Sequence, residues 1–327
     1  MLSLLKSIFG SELKGAYTED LVKLAIERVV DATDPSLRAV SGYKKKLRPA
    51  VIKSIDHVIA LGDGLPTPVP LCLAGYTDDK LMKRFFISAD DMRKVLVGDR
   101  SLADFVAGPG ADATVVHTLL AMEKEERVIF GAALSGDVVI RDVPQVTVSF
   151  DAHRFLAPSG DEKENSFELK KRAFDHLISL ALKRLSSVKS ERKDLERWRT
   201  LLQAKINLLE RGGWGFGESD GTDRPDAPSM EVQLGQIEAQ LKEIGGDDRM
   251  YEAYLDIVID VMGHPEQHLL SRNETIYVDR MGIKREEPAD DAAALSLTVL
   301  YNAEGRSLVV LPVIIQGAEL RELLAGS

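Results

Sequence analysis

The sequence predicts an α+β fold with an N-terminal helical region, an antiparallel β-sheet, and a long antiparallel, coiled-coil-like helical hairpin inserted within the sheet domain. Apolar residues recur at helical spacing before residue 110, alternate with a period near two in two later blocks, and follow a heptad pattern between those blocks. The chain therefore divides into residues 1–110, the helical region; 111–163, the first part of the sheet; 164–262, the hairpin with a glycine-rich tip at 212–229; and 263–327, the second part of the sheet with a short terminal helix.

Several helices and one break are predicted in the N-terminal region. Thr18 is a candidate N-cap for a first helix, and a second helix is predicted from Pro49 to Leu61. Three prolines between residues 66 and 70 are expected to exclude both helix and strand pairing. Ser88, which two aspartates follow closely, is the expected N-cap of a further helix.

Short strands account for both sheet blocks. Four strands with a turn at residues 135–137 are predicted in the first: Thr114–Met122, Arg127–Leu134, Val138–Arg141 and Gln145–Phe150. Three strands and a helix at residues 318–324 are predicted in the second: Thr275–Met281, Ala294–Tyr301 and Ser307–Ile315. Asn302–Gly305 supplies a hairpin turn, and Pro312 predicts that the last strand lies at an edge or carries a bulge.

The hairpin has the most specific pattern. Asn165 and Glu168 are spaced as a capping box at the start of a long segment without glycine or proline. Ten positions then alternate in steps of three and four, and eight of them are apolar: Ile178, Ala181, Leu185, Val188, Arg192, Leu195, Arg199, Leu202, Ile206 and Leu209. A second helix repeats the heptad spacing, and a third, apolar helix spans residues 250–262.

Opposite charge favours the pairing of these helices. Residues 164–211 carry 12 basic and 7 acidic side chains, whereas residues 212–262 carry 3 basic and 12 acidic side chains. The resulting charges of +5 and −9 favour an antiparallel hairpin over the association of like-charged helices.

Composition excludes several classes of protein. The net charge of −10 excludes a nucleic-acid binder that acts by bulk charge, and the single cysteine, Cys72, excludes an internal disulfide or a cysteine-based zinc cluster. No apolar run approaches the roughly 20 residues that a membrane helix needs, and the first ten residues lack a cleavage-site pattern. These ten residues suit a docking helix or a membrane-surface anchor. We expect a cytoplasmic protein.

The chemical motifs are weak. His264 and His268 are spaced as two metal ligands, but a proline follows the first and no zinc-protease glutamate accompanies them, so no metal and no cofactor are predicted. Asp151, His153 and Asp175–His176 are candidates for an acid–base unit, but no nucleophile accompanies them. An enzyme whose active site is not recognisable in the sequence is therefore one alternative.

A basic cluster and an aromatic pair are the binding candidates. The cluster supports another alternative, in which the protein binds nucleic acid or another phosphate-bearing partner: Tyr43, Lys44, Lys45, Lys46, Arg48 and Lys53. Trp214 and Phe216 lie in the glycine-rich tip, where large aromatic residues either cap the hairpin or bind a partner.

The length of the hairpin favours the leading interpretation. A helix of about 45 residues extends roughly 68 Å, so the tip is expected to project. Because no coherent active site accompanies it, the sequence predicts a protein–protein interaction or scaffold protein that binds another protein through the hairpin and its tip. A homo-oligomer is also compatible with the sequence.

Overall fold

The described structure has the α+β architecture that the sequence predicts. The computed structural model describes residues 17–79, 81–135, 138–210, 227–246, 249–279, 281–288 and 292–326. Two units can be distinguished. The sheet unit contains Ile55–Phe174 and Pro265–Ser327, and the hairpin unit contains Gly15–Ser54 and Asp175–His264. Residues 175–264 therefore interrupt the sheet unit along the chain, which confirms the predicted insertion.

Two α-helices and a short 3₁₀ helix open the described chain: α1, Glu19–Thr33; the 3₁₀ helix, Pro35–Ala39; and α2, Tyr43–Asp63. Thr18 occupies the N-cap position of α1. The prediction that the second helix begins at Pro49 is wrong, because α2 continues through this proline. Leu47 and Val51, on either side of it, are fully buried, and this packing holds the helix together across the missing hydrogen bond.

A two-residue strand and three short helices follow: β1, Val69–Pro70; α3, Met82–Phe85; α4, Ala89–Gly98; and α5, Arg100–Ala107. The Ser88 side chain accepts a hydrogen bond from the Asp91 N–H at 3.0 Å, which confirms the predicted N-cap. The predicted absence of strand pairing is wrong, because β1 pairs in parallel with the last strand of the sheet. This pairing tolerates Pro70 because Leu71 supplies an N–H, which bonds the Ile314 carbonyl at 2.8 Å.

Two long strands replace the four short strands predicted for the first sheet block: β2, Val115–Ser135, and β3, Val138–Ser159. They pair in antiparallel register with three register shifts. At each shift β3 contains one residue with a positive φ, namely Asp142, Ala152 or Ala157. Each β-bulge accommodates an extra residue in β3 while the pairing with β2 continues. The segments predicted as breaks between short strands therefore lie inside two continuous strands.

Three helices form the hairpin region and lead into a short fourth helix: α6, Glu162–Glu210; α7, Ala227–Glu243; α8, Met250–Gly263; and α9, Pro265–His268. The predicted capping box is wrong, because α6 begins ahead of Asn165. Asp161 caps the helix by accepting a hydrogen bond from the Glu164 N–H at 3.0 Å. The Asn165 amide instead donates to the carbonyl of Ala157, in a bulge of β3, at 2.6 Å.

Burial along α6 and α7 follows the predicted heptads. On α6, every predicted heptad residue whose side chain is described is buried or half-buried. The same is true of the five heptad residues of the second helix: Met230, Leu234, Ile237, Leu241 and Ile244. Arg192, one of the two polar members, is itself buried and pairs with Glu196 at 2.8 Å. The heptad spacing therefore identifies the sides of the helices that face the fold.

The remaining strands and one helix complete the sheet unit: β4, Leu269–Asp279; β5, Lys284–Arg285; β6, Ala292–Asn302; β7, Ser307–Gln316; and α10, Gly317–Ala325. The strand order is β3-β2-β7-β6-β4-β5, and β1 pairs with β7. A bridge between Thr147 and Ile283 joins β3 to the start of β5, so the sheet curls until its two ends meet.

β7 is a central strand, so the prediction that Pro312 places it at an edge or in a bulge is wrong. β6 pairs with β7 over residues 307–310, and β1 pairs with it at residues 313–314. Pro312 lies in the gap between these two partners and faces Leu119 of β2 on the other side. No strand pairs with Pro312 on the side where β6 and β1 lie, so no hydrogen bond from a proline N–H is needed there.

Apolar side chains cover both faces of the sheet. On the inner face, Phe155 and Leu297 belong to a large cluster that includes residues of α3, α4, α5 and α10. On the outer face, Leu119 and Val310 pack with Leu169 from the first turns of α6. The inner cluster is the larger of the two and forms the main core of the sheet unit.

Candidate functional site

The distal part of the hairpin contains a small apolar seam between α6 and α7. Leu202 and Ile206 of α6 are buried together with Met230 of α7, and Leu234 and Ile237 pack against them. The end of α6 therefore lies beside the start of α7, as in an antiparallel hairpin. Because the heptad residues of both helices fill this seam, the remaining sides of the two helices face away from it.

A second apolar row lies on α6 outside this seam. The exposed fractions of Trp198, Leu201 and Leu208 are 58%, 46% and 73%. Their spacing of three and seven residues places them on one face of the helix. We call these three residues the outer stripe. Large apolar side chains that remain in water stabilise a fold little, and a group of them is typical of a binding surface.

Charged side chains without an ion-pair partner lie on both helices of the distal hairpin. Among the residues that the structure describes, Arg197 and Lys205 of α6 form no ion pair, and neither do Glu231 and Glu238 of α7. From residue 197 to 208, α6 has three basic and no acidic residues, whereas residues 227–241 have two acidic and no basic residues. The distal hairpin therefore presents a basic helix and an acidic helix.

The heptad pattern alone does not predict the outer stripe. The predicted tip residues, Trp214 and Phe216, lie outside the described residues, and their role stays a prediction. Trp198 and Leu201 carry a signal that is recognisable in the sequence, since they occupy positions beside the heptad residues that polar side chains normally fill.

Ion pairs fix the base of the hairpin. Arg28 of α1 donates two hydrogen bonds to the Asp175 carboxylate of α6, at 2.8 and 2.6 Å. Farther along α6, Lys189 pairs with Asp34 and lies 5.2 Å from the ring centre of Tyr254 in α8. α6 is therefore held on two sides near its base, and this support leaves the outer stripe uncovered.

At least three of the five basic residues in the predicted cluster are ion-paired. Lys44, Lys46 and Arg48 lie 2.8, 3.5 and 2.7 Å from glutamate carboxylates of the same unit. Lys45 and Lys53 are exposed on the same helix. Three of the charges that a phosphate-binding site would use therefore neutralise carboxylates of the protein itself.

Glu27 is the centre of this network. Its carboxylate accepts hydrogen bonds from Lys44, Arg38 and Tyr43 at 2.8, 2.7 and 2.8 Å. The contact with Lys44 is the largest cause that lowers the pKa of Glu27, to about 2, and burial opposes this shift. Tyr43 is thus a hydrogen-bond donor within α1 and α2 and does not present its hydroxyl to a partner.

The residues of the predicted acid–base unit have structural partners. His153 Nε2 lies 2.7 Å from the Phe85 carbonyl, and the His153 ring stacks on Phe86 with 4.6 Å between the ring centres. Asp175 is bound by Arg28 through both carboxylate oxygens. The contacts of both residues are those of structural groups.

The two histidines of the weak metal motif lie at the ends of different helices. His264 follows α8 in the hairpin unit, and its Nδ1 lies 2.9 Å from the Asp260 carbonyl. His268 ends α9 in the sheet unit. Within the described ranges, no three or more histidine, cysteine or acidic residues are grouped as a metal site.

A polar group that the sequence does not indicate lies on the inner face of the sheet. Side chains alternate along a strand, so Lys124 shares this face with buried Met122, and Glu274 shares it with buried Ile276. Lys124 Nζ lies 2.8 Å from the Glu274 carboxylate, which also accepts a hydrogen bond from Tyr301. The bond from Lys124 is the main cause that lowers the pKa of Glu274. These charges are paired with one another and suit a structural role.

A shallow groove in the sheet unit has a volume of about 250 Å³ and is lined by residues that include His57, Ser271 and Asn273. His57 Nε2 lies 2.6 Å from the Leu269 carbonyl, so the imidazole is already engaged. Asn273 also accepts a hydrogen bond from Thr298 at 3.0 Å. This groove offers fewer unsatisfied groups than the outer stripe and its flanking charges.

The outer stripe is the best-supported candidate site. No helix among the described residues is long and apolar enough to cross a membrane. Comparisons with family models, curated proteins and solved structures found no match.

Proposed function

We propose that this chain is a cytoplasmic protein–protein interaction or scaffold protein, whose helical hairpin binds another protein chain on the outer stripe. The exposure of Trp198, Leu201 and Leu208 carries the proposal. These side chains lie on a helix whose seam is already filled by α7, so the fold does not require them to be apolar.

The outer stripe has the composition of an interface centre. Tryptophan is among the residues most enriched at positions that dominate binding energy. Full burial of a large apolar side chain contributes roughly 1.5–3 kcal/mol, and three such side chains offset a substantial part of the cost of association. Arg197 and Lys205 beside the stripe favour a partner surface with acidic residues.

The predicted contact through Trp214 and Phe216 belongs to the same proposal. These residues follow α6 directly in the sequence, a few positions after Leu208. A partner that covers the stripe and continues towards the tip would use both aromatic groups.

A photo-cross-linking residue introduced in place of Leu201 in the full-length chain tests the proposal in cells. The matched control carries the same residue in place of Ile87, which is 89% exposed but lies in the sheet unit. We expect a protein adduct from position 201 and none of the same mass from position 87. Trp198→Gln should suppress this adduct. No adduct at position 201, or the same adduct from both positions, would refute the proposal.

A further inference from the structure

We propose that the outer part of the β2–β3 ribbon joins two copies of this protein, and that β2 of each copy pairs in antiparallel register with β2 of the other, centred on Phe130. This surface belongs to the sheet unit and does not include the outer stripe. The inference therefore goes beyond the proposed function and does not depend on it.

β2 continues past its partner β7. The last pair between the two strands joins Met122 to Val309, and β7 begins shortly before this pair, at Ser307. β2 itself runs on to Ser135 and is paired there with β3 alone among the described strands. We call residues 125–132 of β2, on the side where β7 lies farther back, the free edge. It continues an edge that is already used for strand pairing.

The free edge directs unpaired backbone groups outwards. The Gly317 N–H bonds the Thr114 carbonyl at 2.9 Å, so Thr114 directs its N–H and C=O groups towards β7. This direction alternates along an antiparallel strand. Every register shift between β2 and β3 places its extra residue in β3, so the alternation in β2 is not interrupted. Val128 and Phe130 therefore direct their N–H and C=O groups to the free edge, as Thr114 does to β7.

The free edge lacks the features that normally protect the edge of a sheet. The exposed fractions of Val128, Ile129 and Phe130 are 67%, 41% and 74%, and residues 125–132 contain no proline and no positive φ. The opposite edge of the ribbon, on β3, has a bulge at Asp142 with a φ of +59° and a proline at residue 144. Bulges and prolines both hinder the addition of a strand. The edge on β2 is therefore the one that can accept another strand.

The sequence of the free edge is complementary to itself. When a two-fold axis passes beside Phe130, this residue faces Phe130 of the other copy, Ile129 faces Gly131, and Val128 faces Ala132. A large side chain then lies opposite a small one on each side of an aromatic pair, and no charged residue lies in this segment. The match favours a second copy over an unrelated strand.

Pairing would also complete an apolar face. Val128 and Phe130 lie on the same side of the ribbon as Val148 and Phe150, which are buried in the inner cluster of the sheet unit. The apolar face of the core thus continues onto the exposed ribbon. A two-stranded ribbon is only marginally stable in water, whereas two ribbons joined along β2 form a four-stranded sheet.

Sedimentation velocity of the full-length chain tests the dimer. Phe130→Lys places two ammonium groups opposite each other on the axis, and we expect it to weaken the dimer at least about tenfold. The matched control is Ile87→Lys, which changes another exposed apolar residue of the sheet unit and should leave the dimer unchanged. Circular dichroism of Phe130→Lys should match that of the wild type, because this side chain is largely exposed in the single copy.

Disulfide formation tests the register in a chain whose single cysteine is removed by Cys72→Ser. Phe130→Cys places two cysteines on the axis with their Cα atoms roughly 5.5 Å apart, within the range of a disulfide. Val128→Cys places the two cysteines about 13 Å apart, because each faces position 132 of the other copy. On addition of oxidised glutathione, we expect a disulfide-linked dimer from Phe130→Cys and little from Val128→Cys.

Three results would overturn the inference. The first is a wild-type chain that is monomeric over its whole soluble range, and the second is a Phe130→Lys variant that dimerises as well as the wild type. The third is equal cross-linking at positions 128 and 130, which would exclude a pairing centred on Phe130. If Phe130→Lys does not fold, the wild type and the two cysteine variants decide the question.

Discussion

Asp279 organises the turn between β4 and β5. Its carboxylate is almost fully buried and accepts hydrogen bonds from the backbone N–H groups of Met281 and Ile283 at 2.9 and 3.0 Å, and from Arg285 at 2.7 Å. Burial raises the pKa of Asp279, but these hydrogen bonds together outweigh it and hold the pKa below its usual value. The carboxylate therefore stabilises the fold in its charged form.

Asp279→Ala should lower the free energy of unfolding by about 2–3 kcal/mol, because it leaves buried backbone donors without an acceptor. Asp279→Asn keeps one side-chain oxygen for these donors and should cost less. Urea denaturation of both variants measures the difference. Equal losses for the two variants would show that the charge, and not the two N–H bonds, determines the contribution of this residue.

Glu27 should make the stability of the hairpin unit sensitive to acid. Its pKa is lowered from 4.5 to about 2, so its contribution is fully present above pH 4.5 and is lost as the pH falls towards 2. We expect Glu27→Gln to be about 1 kcal/mol less stable than the wild type at neutral pH, since its partners are partly exposed. The two proteins should converge near pH 2 in thermal melts. A difference that persists unchanged at pH 2 would contradict the assignment.

At the scale of elements, the seam and the outer stripe should respond differently to truncation. Leu202→Ala removes a buried side chain and should cost about 2–4 kcal/mol of the stability of the hairpin. Leu208→Ala removes one that is 73% exposed on the same helix, and the monomer should change by less than about 0.5 kcal/mol. Denaturant melts of the two variants and the wild type make the comparison. Similar losses at both positions would place Leu208 within the folded core.

The bulges of β3 should tolerate glycine unusually well. Ala157 has a φ of +52°, a conformation that costs an L-residue roughly 1–2 kcal/mol. Ala157→Gly relieves this cost and adds a similar entropy to the unfolded chain, so we expect a change within about 0.5 kcal/mol. Ala121→Gly, at a buried position of β2 without a positive φ, should cost about 1 kcal/mol or more. Chemical denaturation tests both, and an equal loss would argue against relief of strain.

Helices with a regular apolar spacing can be predicted from this sequence, whereas β-bulges and tolerated prolines cannot. The heptads of α6 and α7 and the Ser88 cap are local patterns, and the structure confirms them. The continuity of β2 and β3 depends on bulges at alanine and aspartate residues, which no local pattern distinguishes. Pro49 and Pro312 mislead because burial and the local strand arrangement, both properties of the folded chain, decide whether a proline is tolerated.

The candidate site was likewise only partly predictable from the sequence. The seam is predicted by its spacing, whereas the outer stripe becomes visible only when the helix that fills the seam is known. The basic cluster from Lys44 to Arg48 is evident in the sequence, but its ion pairs involve glutamates that are distant along the chain. Ion pairs between residues that are distant in sequence can be identified only once the fold is known.

At the scale of the whole molecule, nucleic-acid binding should be weak and sensitive to salt. The net charge is −10, and Lys44, Lys46 and Arg48 already pair with carboxylates. Titration of labelled duplex and single-stranded DNA at two salt concentrations should show little binding at about 200 mM salt. Tight binding at this salt concentration would contradict the prediction and would support the alternative that the protein binds nucleic acid.

The pairing of β2 with β7 has a consequence for how the protein emerges from the ribosome. Val115 of β2 faces Gln316 of β7, about 200 residues later, and the second segment of the hairpin unit, Asp175–His264, is synthesised between them. During translation, β2 and β3 can pair with each other, but the other edge of β2 has no native partner until the final strand leaves the exit tunnel. The helical hairpin can therefore form before the sheet is complete, and the unpaired edge of β2 stays open to pairing with other chains until β7 is synthesised.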